Sequence, residues 1–529
     1  MYAASRAALY APSVDRARGR TQYARVAIAR ARLSALFRPS PPAASLPRSA
    51  PLRFALLPLL PLAALSASPA SLAETLTAAD VDTVVRQAGE AIADSTQVIA
   101  VSDRPGNVLA VWEKGAAAAT DRELAISLAR TGAFFSSNQA PLSSRTVRFL
   151  SGVHFPPGVR NTPAAALYGI ENTNRGCPLN VSYSAGQAFP PARSLDGTTT
   201  ALGITTGKAD SRDSDPSAVN GGGVPLFKNG ELVGGIGVAG VKPGRAEFAA
   251  FRGAAGFLPS APPPGAIFLE GIRLPFVKTR RRPAGASAGS FTGAYVAGPA
   301  DGMPAPEGYL VLASASAELA ASDVSGIIDR CIARAKRTRA AIRLPLGSRT
   351  RMVIAVGDLA GNILGLYRMA DSTVFSVDVS VAKARNVVYF SGLSRAPADL
   401  PGVPRGTAVT NRTIGFGAQP FFPSGIDGTS PGPFFDLFER DSSNPCTQGA
   451  QPAGLNQNGI VFFPGALPLY RGGSLVGGVG VSGDGVEQDD YVTAAGAEGF
   501  EAPEAIRAGR ILIRNVRLPY LKFPRNPEE

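Results

Sequence analysis

Apolar residues recur at helical spacing over residues 77–93, where Val81, Val84, Val85 and Ala88 share a face and Thr77 and Asp80 have capping-box spacing. Two short apolar runs follow, 98–101 and 108–112, separated by Asp103-Arg104-Pro105-Gly106-Asn107; they read as a hairpin. Residues 120–137 read as a second helix, with Thr120 and Glu123 as its capping box and Leu124, Leu128 and Phe135 on one face. From 139 to 222 the periodicity disappears into Pro, Gly, Ser and Asn, with isolated aromatics at Phe155, Tyr168, Tyr183 and Phe189. A connection this long is usually functional or disordered. A second hairpin then turns at Asn229-Gly230 between 224–227 and 232–238, followed by a short helix at 247–256 and a last strand at 266–274.

The pattern then returns. Glu231-Leu232-Val233-Gly234-Gly235-Ile236-Gly237-Val238-Ala239-Gly240 reappears as Ser474-Leu475-Val476-Gly477-Gly478-Val479-Gly480-Val481-Ser482-Gly483, at an offset of 243 residues. Helix 323–336, hairpin arms 352–356 and 363–367, and helix 377–390 repeat the earlier order, with Asp358, Gly361 and Asn362 standing where Asp103, Gly106 and Asn107 stood. An extra stretch, 337–348, raises the offset to 255. The second long loop, from 394 to about 464, carries Phe416, Phe421, Phe422, Phe434, Phe435 and Phe438. Each unit therefore reads as helix, hairpin, helix, long loop, hairpin, helix, strand, a mainly antiparallel sheet with helices on its faces. Residues 279–318 between the units read as a linker rich in Ala, Gly, Ser and Pro, and 523–529 as a tail.

Charge changes this picture only at the N-terminus. Of a net +13, residues 1–73 hold +9, with ten arginines and one acid. No basic stripe interleaved with aromatics follows in either unit, which argues against nucleic-acid binding. Residues 54–65 form a short apolar run after Arg48 and Arg53 and before small residues ending Ser71-Leu72-Ala73, the layout of a secretory signal cleaved after Ala73. The run is too short to span a bilayer of about 30 Å. The arginine-rich stretch ahead of it implies either a downstream start or the first half of a two-part organelle address. The expectation is an exported protein, periplasmic or extracellular, with an organelle lumen as the alternative and no membrane span in the mature chain. Cys177 and Cys446 occupy corresponding loops, and an exported protein can keep a disulfide, so they are expected to pair across the units. Cys331 stands where the first unit has Ala88 and reads as a small core residue.

Catalytic chemistry is incomplete everywhere. The run Gly235-x-Gly237-x-x-Gly240, and its repeat at Gly478, has the spacing of a dinucleotide fingerprint. It enters from a hairpin, however, and its acidic candidate Glu270 has no partner in the second unit. Close approach of a helix to a glycine-bearing strand explains it better. His154 is the only histidine, too few for a zinc site or for a triad in each unit, though one residue suffices as an axial ligand to haem iron. Lys383 sits mid-helix where the first unit has Leu128 and could reach an anion or a propionate; a snorkelling surface lysine is the plainer reading. Asp103 and Asp358 read as turn formers.

The pieces Val353-Ile354-Ala355-Val356-Gly357-Asp358 with Gly361-Asn362, the Ala382-Lys383-Ala384 helix, and the arm from Leu475 to Gly483 together resemble the GlcG/HbpS-like haem-binding family. The resemblance covers the shared cores, 76–137 with 222–278 and 319–392 with 465–522; the targeting segment, linker and long loops lie outside it. It implies an α+β fold of two tandem profilin-like domains, each a central, mainly antiparallel five-stranded sheet flanked by helices, with long inserted loops. The boundaries are 1–73 targeting segment, 74–278 first domain, 279–318 linker, 319–522 second domain and 523–529 tail. It also implies oligomer formation, here a pseudo-dimer of the fused copies or a homo-oligomer, and haem or a related tetrapyrrole as cofactor. Read from the residues themselves, the candidate ligands are His154 as iron ligand, with Met369, Lys383 and Tyr389. Three rival readings are an assembly module without a small ligand, an enzyme on a small metabolite at the repeat interface, and a nucleotide-binding protein.

Overall fold

Residues 73–115, 117–177, 179–181, 203–205, 219–444 and 446–529 are described by a computed structural model. The targeting segment before Ala73, and the loop positions of Tyr183 and Phe189, lie outside them. Thr77 caps helix α1 (Ala78–Ala91) through reciprocal bonds with Asp80. Strands β1 (Val98–Asp103) and β2 (Val108–Glu113) form the expected hairpin, pinned by the Asp103 carboxylate, which accepts from the backbone of Gly106 and Asn107. Helix α2 (Ala119–Phe135) starts one residue earlier than Thr120 would place it, and its N-cap Ala118 offers no side-chain bond, so the expected capping box at Thr120 is not used. Helix α3 (Ser144–Leu150) lies in the first long loop and carries its own box, Ser143 with Thr146. The closing hairpin is β3 (Gly223–Lys228) and β4 (Glu231–Ala239), followed by α4 (Pro243–Gly253).

Two expectations fail next. Residues 266–274 are not a sheet strand but a separate small hairpin, β5 (Phe268–Leu269) and β6 (Ile272–Arg273). The fifth strand comes instead from the supposed linker, as β7 (Ala294–Ala297), which pairs with β2. The same stretch supplies β8 (Gly308–Val311) to the second half. Residues 279–318 are therefore no bare linker. Phe291 stacks on Trp112 at 4.9 Å, and Tyr309 meets Tyr367 edge-on at 5.0 Å, so aromatic contacts hold both edge strands in place.

The second half runs α5 (Ala321–Ala335), β9 (Val353–Gly357), β10 (Ile363–Arg368), α6 (Phe375–Ser391), α7 (Asn411–Gly417), α8 (Phe435–Ser443), β11 (Ala466–Arg471), β12 (Ser474–Ser482), α9 (Val486–Gly496), β13 (Leu512–Ile513) and β14 (Val516–Arg517). The two five-stranded sheets have matching orders, β3-β4-β1-β2-β7 and β11-β12-β9-β10-β8, all antiparallel. Alternation along the strands splits each core. Ile99 and Val101 join the α1 and α4 side while Val98 and Ala100 join α2. Ile354 and Val356 likewise face α5 and α9 while Val353 and Ala355 face α6.

The glycines of β4 and β12 let the central helices approach. A Cβ on Gly237 would lie 1.9 Å from the Ala125 carbonyl oxygen, and one on Gly480 would lie 2.2 Å from that of Ser380. The G-x-G-x-x-G spacing is thus a packing device, and the strand enters no phosphate-binding turn. Helix α6 is buried along its whole length, because its outer face packs on the other half in a core containing Phe135, Leu142, Leu150, Phe375, Val379 and Phe463. Phe135 and Phe375 stack there at 4.3 Å. Cys331 is buried, as a small core residue should be.

Candidate functional site

The long loops knot the halves together. His154 and Phe421 stack at 5.9 Å. His154 Nδ1 is 3.1 Å from the Thr162 carbonyl oxygen, and its Nε2 faces the Asp427 carboxylate at 3.5 Å. Cys177 and Cys446 are joined, with Cα atoms 5.4 Å apart. Nearby, Asn172 donates to Asp441 at 2.6 Å. Burial raises the Asp441 carboxyl well above its ordinary value. At the other end of the interface, Arg343, from the extra stretch of the second unit, pairs with both Asp371 and Asp484, while Arg104 of the first half reaches Asp371 at 2.7 Å.

The candidate ligands fall at separate places in this framework. His154, expected as an iron ligand, is buried in the loop clasp, with Nδ1 at the Thr162 carbonyl and Nε2 3.5 Å from Asp427. Met369 sits in the second core, and its sulfur accepts from the Met352 amide at 3.4 Å. Lys383 is no surface lysine. It is fully buried, donating to the Val481 carbonyl at 2.7 Å and to Asp489 at 3.0 Å, with the Phe463 ring 5.0 Å away. Burial works against both charges, lowering the lysine and pushing Asp489 up to about 7. The four candidates are not gathered around one site.

Tyr389 is the one that lines an open cleft. This cleft, about 790 Å³, lies between the C-terminal part of α6, the β9–β10 turn and the β11–β12 hairpin. Leu359, Val388, Leu393, Leu475 and Ile506 supply apolar wall. Arg385 crosses its floor, donating to the carbonyls of Gly361 and Leu179 and to Asn458. Tyr389 donates to Asp399 at 2.6 Å; burial and that carboxylate raise the phenol above its ordinary value. Arg405 stands exposed at the rim, and no carboxylate among the described residues pairs with it. Tyr470, 4% exposed, also lines the cleft, with its hydroxyl buried. Ser391, whose hydroxyl engages the backbone of Val409, lies within hydrogen-bonding range of it.

Residues 329–498 match the HbpS-like family, described as haem-degrading protein HbpS-like. The HbpS-like segment contains all of the cleft lining except Ile506. The chain is also similar to two solved structures. One is the Klebsiella pneumoniae protein ORFY, of the family DUF336, at 21% identity over 35% of this chain and 90% of that one, with a TM-score of 0.22. The other is PduOC in complex with haem, at 18% identity over 34% of this chain and 94% of that one, also with a TM-score of 0.22. The chain matches no curated protein.

Sequence reasoning missed Tyr470, Arg385 and Arg405. A signal for the first two was available. Arg385 repeats Arg130, which donates to the Gly106 carbonyl as Arg385 does to that of Gly361. Tyr389 and Tyr470 replace Phe134 and Phe227, so the cleft of the HbpS-like segment gains two hydroxyls that the first half lacks. Among the described residues no group of three or more His, Cys, Asp or Glu could hold a metal ion, and no helix is long and apolar enough to cross a membrane.

Proposed function

We propose that this is an exported haem- or tetrapyrrole-binding protein in which two fused HbpS-like, profilin-like units form a pseudo-dimer and the second alone offers the site. The observation that carries this reading is the half-two cleft, whose volume lies in the range of small-molecule and cofactor sites and whose walls are apolar with few polar groups. Its position within the segment matched to a haem-degrading family supports haem as the occupant. The lining fits the group: Leu359, Val388, Leu475 and Ile506 would take the macrocycle out of water, and Arg405 at the rim would meet a propionate. When bound, haem would supply the redox and ligand chemistry of its iron. Arg385 and Tyr389, each held by its own partners, would keep the cleft in shape. The Cys177–Cys446 bond supports an oxidising compartment, and with it the export reading of residues 54–73.

The test is a haem titration of the full chain, followed by visible absorbance. Saturation at one haem per chain is expected, and His154→Ala should leave it unchanged because His154 lies outside the cleft. A titration with no Soret shift at micromolar protein would overturn the reading and favour an assembly module. Saturation at two per chain would put an equivalent site in the first half. The family description also raises haem breakdown as a second reading; loss of the Soret band over time with added reductant would establish it.

A further inference from the structure

The duplication gives one surface pocket a twin in the other half. Helices α3 and α7 correspond, each capped by its own hydroxyl box, and each contributes to such a pocket. Arg145, Phe149 and Lys278 line the first, and Arg412, Phe416 and Lys522 line the second at the matching places. In the second half both cations have a carboxylate: Arg412 donates to Asp490 at 2.5 Å, and Lys522 pairs with Glu487. In the first half Arg145 keeps its acid, Glu247, at 2.5 Å. Gly244, however, stands where the second half has Glu487. Lys278 is exposed, with no carboxylate partner among the described residues.

Two arginines join Lys278. Arg280 opens the run Arg280-Arg281-Arg282, whose last member turns away to the Ala91 carbonyl. Arg273 is held through Nε, which donates to the Gly265 carbonyl at 2.6 Å. A Cβ on Gly265 would lie 3.7 Å from Arg280 Nη2 and 4.0 Å from Arg273 Nη2. Two guanidinium groups thus converge on the space beside one glycine, and no acid lines the pocket. The second half has Pro524 in place of Arg280. Cations gathered without counter-charge focus a positive field into a pocket and draw anions to it. Guanidinium forks match the oxygens of phosphate and carboxylate groups. The volume, about 410 Å³, is in the range of small-molecule sites, and Phe149, Phe276 and Val277 give apolar wall.

We propose that this first-half pocket binds a small organic anion carrying phosphate or paired carboxylate groups, which Arg273, Lys278 and Arg280 hold beside Gly265. The site is separate from the half-two cleft and does not depend on the haem reading.

The experiment titrates the full chain with inorganic pyrophosphate and with citrate by calorimetry at low salt, with phosphatidylglycerol vesicles as a separate arm. Saturable binding of one anion per chain is expected for at least one of the two probes, weakening as salt is added. Arg280→Gln should weaken it about tenfold, whereas Arg281→Gln, which removes the same charge one residue on and outside the lining, should change it less than about twofold. Gly244→Glu places the second half's acid beside Lys278 and should also weaken binding. A Cβ at position 244 meets Thr279 Oγ1 at 3.6 Å, an ordinary contact, so this variant should fold; circular dichroism checks all three. No saturable binding of either anion at millimolar concentration would overturn the proposal. Equal losses in Arg280→Gln and Arg281→Gln would overturn it in favour of diffuse charge attraction. Vesicle binding by a chain that takes neither anion would overturn it in favour of a membrane-facing patch.

Discussion

The two halves share a scaffold and differ in one cleft. Among the described residues of the first half, Phe134 and Asn138 stand at the corresponding place. The Phe134 ring lies over the β1–β2 turn, so near that a Cβ on Gly106 would come within 2.6 Å of it. Asn138 seals the edge, accepting from the Leu232 amide at 2.9 Å while its own backbone donates to Asp371 of the other half at 3.0 Å. In the second half Tyr389 turns its hydroxyl to Asp399, and Leu393, at the place of Asn138, is 75% exposed. A second difference lies at the middle of the central helices. Lys383 and Asp489 form a buried ion pair where the first half has Leu128 and Ala246, which border a separate cavity of about 380 Å³. One fold thus carries two distributions of empty space, set by a few side chains and by which surface the other half covers. A shared scaffold does not imply a shared site.

The scaffold side of the comparison predicts the largest effects. Gly237→Val and Gly480→Val should be equally severe, because each places a branched side chain against the backbone of its central helix. Overpacking that only backbone movement can relieve should cost more than about 4 kcal/mol in either half. Guanidinium unfolding midpoints would show it. A marked asymmetry between the two variants would mean that the strand–helix contact is not equivalent in the halves.

The ion pair gives the next effect. Lys383→Leu leaves Asp489 buried beside Asp490 without its partner, at a cost of about 3–5 kcal/mol. Lys383→Leu with Asp489→Ala recreates the residues of the first half and should return most of that stability. The pH dependence has a definite sign. Asp489 has its folded value raised above the unfolded one, so its contribution is fully present below about pH 4 and is lost as pH rises toward about 7. In Lys383→Leu the lysine no longer opposes that shift. Its deficit should therefore be greatest at neutral pH and shrink on acidification, measured as urea midpoints across that range. A deficit that grows on acidification would contradict the burial account.

What the sequence showed and hid follows the range of the interactions. Capping at Thr77 with Asp80, the Asp103 turn and the Asn229-Gly230 hairpin are local, and all could be read directly. So could the glycine-bearing strands, since close packing leaves a pattern in one chain segment. The edge strands β7 and β8 could not. Each is four residues in a Gly, Ala and Pro-rich stretch, defined by pairing with β2 and β10 rather than by any periodicity of its own. His154 was singled out for its residue type, whereas its position in the loop clasp depends on Asp427 and Phe421, both far along the chain. The cleft was hidden for a further reason: it is a void, and whether Phe134 or Tyr389 leaves one depends on residues from several loops.

The smallest effect tests the cleft itself. Tyr389→Phe puts the first half's residue into the second half's cleft and removes the bond to Asp399. Asp399 keeps the Arg440 guanidinium at 3.1 Å and the Ala450 amide at 3.1 Å, so its charge stays satisfied. The expected loss is about 1 kcal/mol, seen as a small drop in the urea midpoint. Haem affinity should stay within about threefold of wild type, because the hydroxyl props the wall and does not face the ligand. If the phenyl instead swings over Gly361 as Phe134 does over Gly106, the cleft closes and haem binding is lost with stability intact or raised. That outcome would show that a single hydroxyl keeps the second half open, and it would move the decisive difference between the halves from the covering loops to the Tyr389–Asp399 bond.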